Sequence, residues 1–392
     1  MAEKSLRATF EKIYELPPEI ISSAPGRINI IGEHTDYNLG YVLPAAIDLR
    51  IYFLASKRKD ERVLLRAENF QTEESFSLKD VSFSKEKKWI NYLKGILWIL
   101  EKEGFSLQGL NGLVWGNIPL EAGLSSSAAL EISIINGLDK LFNLNLEPEK
   151  KTLLAQKAEN DFIGVKCGLM DQFISMFGQK NNAMYLDCES LEFDLIPLHL
   201  KENNLGILVY DTRIRRKLSS SQYNQRRLES AEALAFLEQN GYRNFKEVSL
   251  ETLEKMRVRM EEVIYKRAKH VISENLRVKR AVEAFRNNDF LLLQELLFLS
   301  HQSLRDDYEV SCPELDLLYE TGRKFSGCLG ARLTGAGFGG SGIALVKKSR
   351  MVAFRKLILE KAKRRRFSRP EIYKIQVGEG ARVNFLAKED KQ

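Results

Sequence analysis

Apolar and polar positions alternate over IISSAPGRINII (20–31) and GYVLPAAIDLRIYFLAS (40–56), which predicts two strands around a polar loop. GLNGLVWGNIP (109–119) reads as a further strand ending at a proline. The period changes over SSSAALEISIINGLDKLF (125–142), where Leu130, Ile134, Leu138 and Leu141 recur at helical intervals. A second helix is expected over about 149–163 and a third from near Gly168. NNAMYLDCESLEFDLIPL (181–198) alternates again, as a hairpin does, and LGILVYDT (205–212) is a strand. Beyond it the chain turns polar, charge-laced and mostly helical through 221–300, with FLLLQELLFL (290–299) as a core-facing helix. A helix near 313–325 precedes two strands, GCLGARLT (327–334) and SGIALVKK (341–348), that flank a glycine-rich loop. The mixture is α+β, without the regular βαβ repeat of a doubly wound sheet. The change of character predicts two domains, 1–200 and 201–392.

At 392 residues the chain has the length for two domains, and 44% hydrophobic with 29% charged content excludes a wholly disordered one. No apolar run reaches the ~18 residues of a membrane helix; FLLLQELLFL is broken by Gln294 and Glu295. The first thirty residues lack the continuous apolar segment of a secretory signal. Cys167, Cys188, Cys312 and Cys328 match no zinc spacing, so reduced thiols in the cytoplasm are expected. Four histidines argue against a His-rich metal site. The net charge of +7 is mild. Basic residues cluster in 347–369, a pattern that nucleic-acid-binding patches share. Val352, Leu357, Ile358 and Leu359 run an apolar stripe through that segment. The charges are therefore expected on the solvated face of a helix, and neither a nucleic-acid nor a membrane partner is expected.

Three segments carry chemistry. In APGRINIIGEHTDYNLG (24–40), Arg27, Glu33, His34 and Asp36 crowd into ten residues. A turn between strands rarely needs four such side chains, whereas a polyhydroxylated ligand needs mixed donors and acceptors. In NIPLEAGLSSSAALE (117–131), a glycine and three serines open a helix, where backbone N–H groups and the positive dipole end favour an anion. One serine suffices for a cap; three after a glycine point to phosphate, and one hydroxyl is a candidate magnesium ligand. The segment is neither a GxxxxGK[ST] loop nor a GxSxG elbow. In LTGAGFGGSG (333–342), five glycines in ten residues permit close backbone approach, as a ligand loop or a tight hairpin requires.

Together and in this order, the three segments resemble the GHMP family of small-molecule kinases, and GRINIIGEHTDY (26–37) is similar to the galactokinase signature. The likeness continues through WINYLKG (89–95), AENDFIGVKCGLMDQF (158–173), SSSQYNQRR (219–227), RAKHVISENLRV (267–278), SLRDDYEVSCPELD (303–316) and GARLTGAGFGG (330–340). The resemblance implies two domains with the active site in the cleft between them. It implies phosphorylation of galactose at its anomeric hydroxyl by ATP, with Mg2+, in a monomer. Carried over by motif, Asp171 is the catalytic carboxylate and Arg27 the partner that stabilises its charge. Glu33, His34, Asp36, Gly168 and Tyr223 become sugar contacts. Ser127 and Glu159 match the magnesium positions. Gly123, Leu124, Ser125, Ser126, Ser127 and Ala128, with Gly335 and Gly337, form the ATP phosphate site, and Trp89 lies near the nucleotide. An aspartate near a helix start is more often a cap than a base; the motif reverses that expectation for Asp171.

Two positions depart from the family pattern. Glu121 stands where the phosphate loop generally has glycine, and its carboxylate is expected to face solvent. Arg216 stands where galactokinases commonly carry histidine. The alternatives are another sugar-1-kinase, acting on N-acetylgalactosamine, fucose or arabinose, or a non-catalytic sugar- and ATP-binding sensor. Glu33 disfavours galacturonate, because two carboxylates would meet. The intact SSSAALE and Asp171 favour a kinase over a sensor.

Overall fold

The computed structural model describes residues 2–214 and 219–386; Arg216 lies outside the described residues. In chain order the first part comprises α1 (Ala2–Tyr14), β1 (Ile20–Asn29), β2 (Tyr41–Val42), β3 (Pro44–Lys57), β4 (Arg62–Ala67), β5 (Thr72–Ser77), α2 (Asn91–Lys102), β6 (Leu110–Gly116), α3 (Ser126–Phe142), α4 (Pro148–Ala158), α5 (Met170–Phe177), β7 (Asn182–Asp187) and β8 (Phe193–Pro197). The second comprises β9 (Leu205–Asp211), α6 (Ser219–Gln239), α7 (Leu250–Met256), α8 (Glu262–Arg286), α9 (Phe290–Asp306), α10 (Pro313–Lys324), β10 (Cys328–Thr334), β11 (Ser341–Lys347), α11 (Met351–Arg364), β12 (Glu371–Ile375) and β13 (Arg382–Phe385). The strands and helices expected from periodicity are present, in a mixed α+β arrangement.

Three sheets organise the described residues. A six-stranded sheet runs β13-β1-β3-β6-β4-β5, a four-stranded one β10-β11-β9-β12, and a three-stranded one β2-β7-β8. All neighbours are antiparallel except β4 with β6. α3 packs across β1 and β3, and α1 covers the sheet with Leu6 and Phe10 against Ile21, Leu54 and Leu113. β1 is therefore buried along all ten residues, Ser22 and Ser23 included. A second apolar core joins the two halves, placing Ile28 and Ile31 with Ile207, Val278, Phe285 and Ile343. No described helix is long and apolar enough to cross a membrane.

The last strand complicates a division at residue 200. β13 pairs with β1, Ile20 opposite Phe385 and Ser23 opposite Arg382. Arg50 of β3 binds the approach to that strand, donating to the carbonyls of Glu379 (2.6 Å) and Gly380 (2.7 Å). The boundary near 200 thus marks the change in sequence character, while the first sheet takes a strand from the far end of the chain.

The basic segment is the solvated helix α11, but its apolar stripe differs from the expected one. Met351, Phe354, Ile358 and Ala362 are buried, at the spacing of one helix face. Val352 is 82% exposed, and Leu357 and Leu359 only flank the buried face. Phe354 packs against Phe325 in the core beneath the four-stranded sheet. Phe354→Ala is expected to cost about 3–5 kcal/mol by the cavity it leaves. Val352→Ala is expected to cost less than about 0.5 kcal/mol. Urea unfolding of the two variants measures the difference.

Candidate active site

The site begins with a break in β1. Its register against β3 shifts between Pro25 and Arg27, and such a bulge re-aims the following side chain. Gly26 lets the loop before α3 press against the strand: a Cβ there would sit 2.6 Å from the Leu124 carbonyl oxygen. The Arg27 N–H donates to that carbonyl at 3.1 Å. The Arg27 guanidinium forks onto Asp171, Nε to Oδ1 at 2.8 Å and Nη2 to Oδ2 at 2.9 Å. Its remaining arm, Nη1, donates to Gly123 O at 2.7 Å. Asp171 is the second residue of α5, and its carboxylate also accepts from Ser125 Oγ. Ser125 precedes α3 in a left-handed conformation, φ 57° and ψ 48°, and makes no side-chain cap. Its hydroxyl serves Asp171 instead, and a strained non-glycine backbone of this kind is characteristic of functional sites.

A cavity of about 300 Å³ opens beside this pair, lined among others by Arg27, Glu33, Asp36, Asp171, Tyr223 and Gly335. That volume is at the small end of ligand pockets, and both halves of the chain supply its walls. Asp36 is half-buried; burial and the nearby Asp171 charge push its carboxyl up to about 6. Gly168 lies against it, and a Cβ at that position would fall 2.0 Å from Asp36 Oδ2. The Tyr223 ring lies 5.5 Å from Tyr37, and burial keeps its hydroxyl protonated. His34 lines the same cavity, yet both ring nitrogens are engaged within the protein. Nδ1 is 2.7 Å from Tyr37 Oη, and Nε2 is 3.2 Å from Ala336 O. Burial lowers its pKa to about 3, so the ring is neutral. A carbonyl only accepts, hence Nε2 carries the proton and Nδ1 accepts from Tyr37.

Glu33 is 2% exposed. It pairs with Arg332 of β10 and accepts from the Gly335 N–H at 3.0 Å. Burial raises its carboxyl pKa, and the adjacent Arg332 charge opposes that rise. The sequence reading gave Arg332 no role. An arginine in the middle of an apolar strand was the available signal.

Beyond Asp171, the chain after α4 winds as a π-helix over Glu159–Ile163, a rare turn frequent at functional sites. Glu159 starts it and is nearly buried; Cys167 Sγ (3.2 Å) and Gln172 Nε2 (2.8 Å) donate to its Oε2, and Ser127 also hydrogen-bonds to it. Gln172 reaches buried Glu131 at 3.3 Å; neither residue was singled out from sequence. Among the described residues no group of three or more His, Cys, Asp and Glu is placed to hold a metal alone. Ser127 and Glu159 both face the cavity and offer hard oxygens. Few protein ligands of this type fit Mg2+, which keeps water and phosphate oxygens for the rest.

The phosphate loop and the glycine loop meet at the edge of this site: a Cβ on Gly335 would lie 3.0 Å from Gly123 O. Leu124 and Ala128 are buried behind the loop, and Ser126 and Ser127 begin α3, whose first N–H groups have no acceptor within the helix. Gly337 has a structural reason to be glycine, since a Cβ would sit 2.2 Å from Val310 O. Glu121 is exposed, as expected, with φ 54°, the left-handed region that suits the glycine of the family pattern. Trp89 does not line the cavity; it packs half-buried on the apolar cluster of Ile90 and Leu93.

Known proteins share both the fold and the sequence. The family model described as the galactokinase galactose-binding signature matches residues 8–57. The N-terminal and C-terminal GHMP kinase domains match 91–179 and 281–363. A galactokinase of Staphylococcus carnosus is 42% identical over 96% of this chain and 98% of its own length. One of Pyrococcus furiosus is 42% identical over 85% of this chain and 90% of its own. A crystal structure of Lactococcus lactis galactokinase complexed with galactose superposes with a TM-score of 0.93 at 40% identity, covering 98% of this chain and 99% of that one. A mevalonate kinase structure shares the fold, with a TM-score of 0.63 at 18% identity over 91% and 98% of the two chains. Matched nearly end to end in both sequence and fold, this chain belongs to the galactokinase family of GHMP kinases.

Proposed function

We propose that the cleft transfers the γ-phosphoryl group of ATP to the anomeric hydroxyl of D-galactose, with Asp171 at that hydroxyl. The observation that carries this reading is the Arg27–Asp171–Ser125 constellation at the wall of the sugar-sized cavity. Phosphoryl transfer asks for positioning and charge stabilisation more than for covalent help. Asp171 orients the hydroxyl and accepts its proton as the new O–P bond forms and the bond to the leaving ADP breaks. Arg27 holds the carboxylate by both oxygens, so it cannot rotate away, and its charge offsets what develops on the transferring group.

Asp36 and Tyr223 are assigned to the axial 4-hydroxyl. An equatorial hydroxyl, as in glucose, would leave them unpaired, a mismatch worth up to ~10⁴-fold. Glu33 is assigned as a further sugar acceptor. His34, with both nitrogens engaged, supports Tyr37 and the loop beside the sugar. The start of α3 and the loop from Gly335 receive the triphosphate, and the assignment of Trp89 to the nucleotide rests on its motif alone. Ser127 and Glu159 would hold Mg2+, which when bound neutralises charge on phosphate oxygens. The monomer reading rests on the family resemblance alone. All four cysteines are free thiols, which suits the cytoplasm.

Galactose-dependent ADP release tests the reading. Asp171→Asn is expected to lose about 10²–10⁴-fold in turnover, with galactose binding by calorimetry kept within about tenfold (~1.4 kcal/mol). Near-normal turnover would remove Asp171 from the chemistry. The pH profile addresses Asp36: with its pKa near 6, the ionised acceptor is present above that value and lost below it. kcat/KM for galactose should therefore fall below about pH 6, and a weaker Asp36→Asn enzyme should lack that limb. Glu159→Ala should raise the Mg2+ concentration for half-maximal rate by about tenfold or more, with excess Mg2+ restoring part of the rate; an unchanged titration refutes the ligand role.

A further inference from the structure

Glu33 stands in the cavity wall, and among the described residues the groups that hold it come from the far half of the chain. Arg332 of β10 pairs with its carboxylate, and the Gly335 N–H donates to Oε1 at 3.0 Å. His270 Nε2 lies 3.1 Å from the Glu33 carbonyl oxygen. Arg332 is itself fixed: Nη1 donates to Ile30 O at 3.0 Å, and Nη2 is 3.8 Å from Glu274. Glu274 accepts from the Gly32 N–H at 2.9 Å, one residue before Glu33, and pairs with Arg277 at 2.6 Å. Arg332 and Glu274 are fully buried, and Arg332 does not line the cavity.

Such a buried pair is a poor way to gain stability. Desolvating both ions consumes most of the Coulomb gain, and apolar residues of similar volume often do as well. An arginine here also does what an apolar side chain cannot. One arm of its planar group bonds the Ile30 carbonyl and the other pairs with the Glu33 carboxylate, which together with the Gly335 N–H restricts how Glu33 can turn.

We propose that Arg332 is a positioning residue for the sugar: it holds the Glu33 carboxylate in one orientation as a hydrogen-bond acceptor, and so sets galactose affinity without touching galactose. The proposal rests on the assignment of Glu33 to the sugar. Arg332 acts through Glu33 on the sugar side; Glu33 also accepts from Gly335 of the glycine loop, so the effect on ATP is expected to be much smaller than that on galactose rather than nil.

The test is a double-mutant cycle with Arg332→Met, Glu33→Ala and the double variant, plus Arg332→Lys, which keeps the charge and loses the fork. Galactose Kd is read by calorimetry and KM for both substrates by ADP release. Arg332→Met is expected to weaken galactose about 30-fold or more and to change KM for ATP by less than about threefold (under ~0.7 kcal/mol). Arg332→Lys should fall between. In the Glu33→Ala background the same change should add less than about threefold, because a residue acting through Glu33 has nothing left to position. Wild-type galactose affinity in Arg332→Met, an equal loss in both backgrounds, or an equal rise in KM for ATP overturns the proposal. If Arg332→Met does not fold, Arg332→Lys decides: galactose affinity like wild type overturns, and a loss confined to galactose supports. An unchanged galactose Kd in Glu33→Ala instead removes the assignment of Glu33 to the sugar.

Discussion

The pairing of Arg27 with Asp171 is the interaction on which the site depends. Arg27 sits on a bulged strand, Asp171 on a short helix about 140 residues later, and Gly123 on the loop that opens α3; one guanidinium bonds all three. Lysine presents a single charged point and could not do this, whereas the planar fork matches a carboxylate and keeps one arm for a carbonyl. The side chains are 7% and 24% exposed, so the pair is largely withdrawn from water. Charges so placed are costly unless their remaining bonding capacity is used, and the Gly123 carbonyl and Ser125 hydroxyl use it. The desolvation that makes the pair expensive also strengthens its hold, through the lower local dielectric.

Around that pair the cavity keeps its other ionisable groups graded. His34 is neutral, the phenols of Tyr37 and Tyr223 stay protonated, and the Asp36 carboxyl is raised. Burial drives each of these shifts in the direction that removes charge. The tyrosine phenols therefore stay uncharged beside the Asp171–Arg27 pair, while Asp36, ionised above about pH 6, remains a carboxylate acceptor in the same cavity.

What sequence conveyed and what it withheld divide along physical lines. Segments whose own period matches their element, such as Leu130 to Leu141 in α3 or the alternation of β7 and β8, were legible. Local chemistry was legible too: four polar side chains in ten residues around Glu33, and serines after Gly123. Long-range consequences were not. Nothing near Gly337 announces Val310, and nothing near Gly168 announces Asp36, although each contact alone dictates glycine. The stripe of α11 was misread because Val352 is apolar but lies beside the buried face that Met351 and Phe354 define. The roles of Arg332 and Gln172 appear only when distant segments are brought together. The strands β4, β5, β12 and β13 carry no pattern that sets them apart from the polar segments around them.

The pairing of β13 with β1 carries a consequence for biosynthesis. β1 bears Arg27, yet one of its edges is satisfied by residues 382–385, more than 350 positions downstream. While the ribosome is still making the helices of the second half, that edge has exposed N–H and C=O groups, and an unpaired strand edge invites the wrong neighbour. Closing so long a loop is among the slow steps of folding. The sheet that carries Arg27 is therefore completed only once residue 385 has emerged, and nascent chains short of that point are the ones with that edge open to wrong pairing.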